Sequence, residues 1–521
     1  MAVLHTGPLP EVLLLSSIPN GIGLGIDDLG WDAAYYRKNE NGNYTTEKRN
    51  WEVADYQNVI DIGRAAGSRL MTAWVLGALD KEMITLKPEY NPPNTVSYMT
   101  GRGTKQIVIS DIGKVDEVMK LISVSADAIE FGIHGVSHEH YYPRHDGTVG
   151  RVRAEWAFKP DGSTGISHRY EWNEMILRME CYIELIRQFY DEDTCSVPKS
   201  IVFPGHGYYY GDGTGSETTG QLMNMFGVKY ANGSTKSCTI MGKGTIDNGL
   251  LFINRGFGAA YDSIAETPWD GLDYPDGRYL PDRFGWTEAH FPNMWNTTVE
   301  DADAFEKWVA YLTGINNSPS RYLAPNTAQC SSQWLYRNYA IFTSIDSTSA
   351  IIDTSGIPLE AYQHDLLSTL VMKVLLDPGQ HVSHASLDHG AQIVGYHEDD
   401  FGYGYLLIGH ESNTMGRLSP DTQYTLQIEI GESYPDAYVD MYKKTFNVFS
   451  RNEFKDRFEI GIEMYGTQEV KIKTLQVPVS AESSSPNLTI KKALYEAPFL
   501  TLTVSGKDIQ GESGKLIVKV R

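Results

Sequence analysis

The sequence predicts an α/β protein in two parts. Strand–helix units run to about residue 328, and a β-rich, sandwich-like region follows from 329 to 521. Three observations carry this. Apolar runs that suit strands alternate with runs of helical periodicity through the first part. Short β-like runs separated by turn residues fill the second. An adjacent carboxylate pair, Asp27–Asp28, ends a glycine-spaced apolar run, GIGLGIDDLGWD (21–32), as expected where a buried strand meets a cleft.

The elements follow in order. The run up to Asp28 reads as a buried strand, and VADYQNVIDIGRAA (53–66) has the apolar spacing of a helix. LMTAWVL (70–76) is a strand, and 77–103 is an irregular insertion rich in Pro and Asn. KQIVIS (105–110) is a strand or a lead-in to a helix over 111–123, and AIEFGIHG (128–135) is a strand. The strongest helical pattern spans 170–190, and KSIVFPGHGY (199–208) is a strand entering a glycine-rich turn. A short helix over 221–226, strands at VKYANG and LLFINRG, and a long loop over 257–285 come next. WTEAHF (286–291) is a strand, 299–312 a helix and RYLAP (321–325) a strand. Roughly six to eight such units fit a parallel sheet with helices outside it, open or closed as a barrel.

In the second part LSTLVMKVLL, GYGYLLIG, YTLQIEIG, EVKIKTLQV, FLTLTVSG and KLIVKV read as strands. One helical stretch (439–454) interrupts them, and AESSSPN (481–487) reads as an exposed linker.

Composition narrows the function. The 521 residues are 41% hydrophobic and 21% charged, enough for a sizeable core. A net charge of −22 argues against a nucleic-acid partner, which needs a basic footprint. The four cysteines form no CxxC pair, so no zinc ribbon or dithiol motif is expected. No apolar run is long enough for a membrane span. The first residues, MAVLHTGPLPEVLLLSS, lack a basic n-region and do not read as a signal peptide. Location stays open: secreted or cell-surface if a leader was removed, otherwise cytoplasmic.

Two like charges side by side need a cation if they are buried. FGIHGVSHEHYY (131–142) supplies partners, because His134 and His138 lie four apart just after a strand. On a helical turn that spacing puts two imidazoles about 5–6 Å apart on one face. In a parallel sheet all strands end on the same side, so the pair and the histidines converge. One Asp and two His make three protein ligands and leave a position open for water, which suits zinc. The other Asp of the pair is then free to act as a general base, and an acid on the far side completes a hydrolytic site.

These residues resemble the NodB-type polysaccharide deacetylases (carbohydrate esterase family 4). That family has a strand ending in Asp-Asp and an H-x-x-x-H pair, here Ile26-Asp27-Asp28-Leu29-Gly30 and His134-Gly135-Val136-Ser137-His138. The resemblance covers about residues 15–328 and implies a distorted (β/α) barrel. It implies Asp27 as general base and Asp28, His134 and His138 as ligands of Zn²⁺, or of Co²⁺, Ni²⁺ or Mn²⁺. The family's third motif, Arg-x-Pro-Tyr-Gly, corresponds to Val202-Phe203-Pro204-Gly205-His206-Gly207-Tyr208, where the Pro and Gly fit and the Arg is absent. In the family that Arg orients the catalytic Asp; His206 or Arg255 are the substitutes at hand. TPWDGLD (267–273) holds the residue types of the fourth motif in another order. The fifth, a strand ending in His before a helix, matches WTEAHF and implies His290 as general acid.

The implied activity is metal-dependent removal of acetyl groups from an N- or O-acetylated carbohydrate. The alternatives are a related amidohydrolase on a non-sugar C–N bond and a catalytically silent carbohydrate-binding protein. The β-rich region (329–521) is expected to be accessory, binding carbohydrate or forming a homo-oligomer. Its histidines, His381, His384, His389, His397 and His410, read as solvent-face residues of strands rather than as a second metal centre. Trp269, Tyr274, Trp286 and Trp295 suit stacking on sugar rings and packing of a long loop equally well.

Overall fold

The computed structural model describes residues 14–15, 17–30, 37–38, 44–45, 52–90, 112–138, 140–143, 149–152, 155–156, 172–189, 197–204, 218–233, 245–254, 285–288, 304–410, 416–432, 457–460, 475–478, 500–507 and 513–520. Besides two small antiparallel pairs, Arg37–Lys38 with Tyr44–Thr45 and His140–Pro143 with Val149–Val152, the strands of the first part are β1 (Asn20–Ile22), β2 (Leu24–Leu29), β3 (Leu70–Val75), β4 (Ile129–Gly135), β5 (Ser200–Val202), β6 (Tyr230–Gly233), β7 (Thr245–Asp247), β8 (Leu250–Asn254), β9 (Gly285–Glu288) and β10 (Arg321–Leu323). Its helices are α1 (Val53–Ala66), α2 (Ile112–Ser123), α3 (Trp172–Arg187), α4 (Thr219–Met225) and α5 (Ala304–Gly314).

Eight strands form one sheet in the order β7-β8-β6-β5-β4-β3-β2-β9. All its pairings are parallel except β7–β8. The strand β1 pairs in parallel with β10. The expected α/β architecture is therefore present. Among the described residues the hydrogen-bonded order runs from β7 to β9 as an open array.

Strand alternation divides the core into two faces. On β3, Leu70 and Trp74 join one cluster, with α1 to α5, while Met71 and Ala73 join another. On β8, Leu250 and Phe252 go to the first cluster and Leu251 and Ile253 to the second. The near-continuous apolar character of these strands follows from burial on both sides. On the helix side Trp74 is sandwiched between Tyr56 and Phe131, with centroids 5.7 and 5.3 Å away. Its indole N–H donates to Thr72 Oγ1 at 2.9 Å, which satisfies the one polar atom it buries.

The second face packs on the C-terminal part. That part opens on a helix, α6 (Thr327–Tyr339), where the sequence suggested only β-like runs. It continues with β11 (Ile341–Ser344), β12 (Ser349–Asp353), β13 (Leu370–Leu375), β14 (His381–Leu387), β15 (Gln392–Glu398), β16 (Tyr403–Gly409) and β17 (Gln423–Gly431). Two antiparallel sheets result, β11-β12-β17-β14 and β13-β16-β15. Beyond them lie the antiparallel pairs Arg457–Ile460 with Leu475–Pro478 and Leu500–Lys507 with Ser513–Val520. The helix expected over 439–454 and the linker at 481–487 fall outside the described residues.

The reason α6 escapes a hydrophobic pattern is chemical. Its buried face is largely polar: Thr327, Gln329, Ser331, Ser332 and Gln333 are all buried. Asn326 caps it, accepting from the Gln329 amide at 2.7 Å. Gln333 Nε2 donates to the carbonyls of Pro19 (2.9 Å) and Val371 (2.8 Å), and its Oε1 accepts from the Val371 amide at 2.9 Å. Gln329 Nε2 donates to the Thr369 carbonyl at 2.8 Å, and its Oε1 accepts from Ser368 Oγ at 2.9 Å. Gln333 thus ties the chain entering β1 to β13. Gln333→Ala strands three backbone groups, and the cost expected is about 2–4 kcal/mol of unfolding free energy. Denaturant unfolding measures it, and an unchanged midpoint would show that the amide does not join the two parts.

Candidate metal centre

The carboxyl ends of the parallel strands bring Asp28, His134 and His138 together, and Asp27, the chain neighbour of Asp28, is buried and near enough to act electrostatically on His134. Two irregularities in the sheet do this. Ile26 pairs with Thr72 and Leu29 with Trp74, so Asp27 and Asp28 together oppose the single residue Ala73. On the other edge of β3, Trp74 pairs with Ile133 and Val75 with Gly135, which leaves His134 as the extra residue. Each ligand-bearing strand therefore carries a bulge beside β3. A bulge bends the strand and re-aims a side chain that strict alternation would send elsewhere. Asp28 (φ 62°) and His138 (φ 63°) both take left-handed backbone conformations, uncommon for residues with a Cβ.

The result is a compact donor set. Asp28 Oδ1 lies 3.0 Å from His134 Nε2 and 3.4 Å from His138 Nε2. One ligand atom from each residue lies within 4.8 Å of the others, and all three residues are buried. His134 Nδ1 is 2.8 Å from the Val202 carbonyl at the end of β5. A carbonyl only accepts, so Nδ1 carries the proton there. In the neutral ring Nε2 then presents its lone pair to a carboxylate oxygen. Two acceptors at 3.0 Å require a proton or a metal ion between them. The outer hydrogen bond to a backbone carbonyl is the usual way a metal-binding imidazole is oriented. The residues thus fit a divalent ion, with a carboxylate and two imidazoles as donors.

The loop that carries His138 is held from two sides. Glu155, fully buried, accepts from the backbone amides of Val136 (3.0 Å), Ser137 (3.1 Å) and His138 (2.9 Å). Arg178 of α3 stands 4.0 Å from the same carboxylate. From the other side the Gly77 amide donates to the Val136 carbonyl at 2.9 Å. Burial pushes the Glu155 carboxyl upward, against the pull of Arg178 and the three amides. Glu155 was not among the residues the motifs singled out. It lies outside them, and only the folded loop shows what it touches.

The remaining expected site residues divide as follows. The strand leading to His290 is β9, which pairs with β2 and sets Glu288 opposite Asp27. His290 itself, His206, Arg255 and the 267–273 segment lie outside the described residues. Of the C-terminal histidines, His381 pairs with Glu398 at 2.8 Å and His410 bridges the Gly390 carbonyl and Tyr424. His397 is buried and stacks on Tyr405 with centroids 4.3 Å apart, so it is not the solvent-face residue expected. Among the described residues the only three-residue metal-competent group is Asp28, His134 and His138. No described helix is long and apolar enough to cross a membrane.

No family model matches the chain, and no curated protein matches it. Similar solved structures include an alpha-L-fucosidase GH29 from Bacteroides thetaiotaomicron at 10% identity, covering 73% of this chain and 82% of that one, with a TM-score of 0.26. A trapped covalent intermediate of an alpha-L-fucosidase GH29 from the same organism is 9% identical over 73% and 83%, with a TM-score of 0.23. A bacterial fucosidase with an inhibitor is 10% identical over 79% and 92%, with a TM-score of 0.24. At TM-scores this low the likeness carries no argument about fold or activity.

The electrostatics give a test. Burial pulls the His134 imidazole down, but the hydrogen bond and charge of Asp28, with Asp27 and the Val202 carbonyl, outweigh it and hold it above its ordinary value. In the metal-free protein this proton contributes stability fully below about pH 6.5, the unfolded value, and loses it as pH rises through the raised folded value. A metal ion must displace the same proton. Zinc binding is therefore expected to release protons and to tighten as pH rises from about 6 to 8. Calorimetry in buffers of different ionisation enthalpy counts the protons. An affinity independent of pH over that range would remove His134 from the ligand set.

Proposed function

We propose that this protein is a metal-dependent hydrolase that removes acetyl groups from an N- or O-acetylated carbohydrate. The single observation that carries the reading is the buried Asp28–His134–His138 group with Asp27 beside it in the same bulge. Asp28, His134 and His138 would hold a divalent ion such as Zn²⁺, which would supply Lewis-acid polarisation of the acetyl carbonyl and a lowered pKa for a nearby water.

The chain's own residues then divide the work. Asp28 Oδ1 and the two Nε2 atoms would be the donors to the ion, which leaves the neighbouring carboxylate of Asp27 outside the ligand set. Asp27, the neighbour not in the ligand set, takes it as general base. The attack forms the C–O bond and breaks the C–N or C–O bond of the acetyl linkage. His290 donates the proton that the departing amine or alcohol needs. The C-terminal sheets are read as accessory, binding carbohydrate or joining copies of the chain.

Metal analysis combined with acetate release from acetylated oligosaccharides tests this. Zinc-loaded protein is expected to release acetate, and chelation to stop it. Asp27→Asn is expected to keep the metal and lose acetate release, and His290→Ala to lower kcat by about 10²–10⁴-fold. Protein that takes up no metal under any loading condition would end the reading. Metal with hydrolysis of a non-sugar amide and no action on sugars would move the substrate to that class.

A further inference from the structure

The loop from Gly135 to His138 contains two positive-φ residues, Gly135 at 114° and His138 at 63°. A non-glycine residue does not hold the left-handed region without help from its surroundings. Here the main support is one carboxylate, with the Gly77 amide on the Val136 carbonyl from the other side. Glu155 Oε1 accepts from the Val136 amide, and Oε2 accepts from the amides of Ser137 and His138. Three consecutive N–H groups pointing at one anion form a concave cradle, and a charged acceptor makes such bonds shorter and stronger than neutral ones. With both oxygens engaged by the loop, Glu155 is not placed to be a metal ligand itself.

The fit is close on the opposite side as well. A Cβ on Gly135 would lie 2.0 Å from Glu155 Oε2. Glycine at 135 therefore serves two needs, the positive φ and the space for the carboxylate. Arg178 supplies a buried guanidinium 4.0 Å from Glu155 and offsets part of the cost of burying its charge. The chain of contacts runs Arg178, Glu155, the 136–138 amides, His138, Asp28.

We propose that Glu155 is a positioning residue. It fixes the backbone of the 136–138 loop so that the His138 imidazole meets the same ion as Asp28 and His134, and Arg178 keeps it in place. This rests on the metal-site reading above and adds to it a residue that none of the sequence motifs contains.

Glu155→Gln keeps the shape but turns an N–H₂ group toward at least one of the three amides. Full-length protein carrying this change is expected to retain its circular dichroism and to bind Zn²⁺ about 10–100-fold more weakly in a competition titration. Cobalt-loaded protein reports the geometry directly: the visible d–d absorption of the variant should weaken as the His138 ligand is lost. A purely structural role would lower thermal stability and move neither readout. Gly135→Ala reaches the same loop without removing the carboxylate, by displacing it, and should weaken zinc binding in the same sense. A folded Glu155→Gln protein with wild-type zinc affinity and cobalt spectrum overturns the inference. If Glu155→Gln does not fold, wild-type affinity in Gly135→Ala overturns it instead. Zinc affinity is read without substrate, so tight zinc binding with no acetate release would sink the deacetylase reading and leave this one standing. A wild-type protein that binds no zinc sinks both.

Discussion

Everything at the candidate metal centre depends on breaking the two-residue period of a strand. A regular strand sends neighbouring side chains to opposite faces, so Asp27 and Asp28 cannot both serve one cleft from an unbroken β2. Nor would a regular β4 necessarily aim His134 at them. One extra residue on each strand flanking β3 changes the aim, and the left-handed φ at Asp28 and His138 completes it. These conformations cost free energy, and the surrounding contacts hold them: the Val202 carbonyl on His134, and Glu155 and Gly77 on the 136–138 loop. Without an ion, a carboxylate and two imidazoles are packed together in a buried site, where a proton must relieve the contact.

The sheet that carries the centre is a wall between two cores. One face gathers the helices and the stacked Tyr56–Trp74–Phe131 group. The other face meets α6 and the antiparallel sheets, through a seam where buried amides and hydroxyls are hydrogen-bonded to backbone. A buried amide that meets its partners contributes modestly, whereas one without them is expensive. The seam therefore favours one register of α6 over a sliding apolar contact.

Much of this was legible in the sequence where period and composition carry the information. The boundaries of α1 coincide with the apolar run 53–66, because an amphipathic helix writes its buried face directly as spacing. The strands 70–75 and 129–135 followed from continuous apolar character, and the donor set followed from Asp-Asp and the two histidines four apart. Two kinds of feature were not legible. The helix α6 buries Gln and Ser, so its inward face looks like an outward one until its backbone partners are known. Glu155 acts through backbone amides, which have no signature in the side-chain sequence, and the bulges are properties of pairing between strands distant in the chain. His397 went the other way: a histidine in a β-rich region lies buried against Tyr405 rather than facing solvent.

The polar seam at α6 has a consequence for how such a chain evolves. The C-terminal sheets and α6 provide the far wall of the core behind β3, β5, β6 and β8, and Gln333 reaches back to the residue just before β1. A segment that finishes another segment's interior cannot be traded between proteins as a cassette. Its donor and recipient would each be left with an open apolar face and a row of unpaired amides. Variation is expected to enter this chain by substitution and loop growth, with the parallel-sheet half and its β-rich companion inherited together.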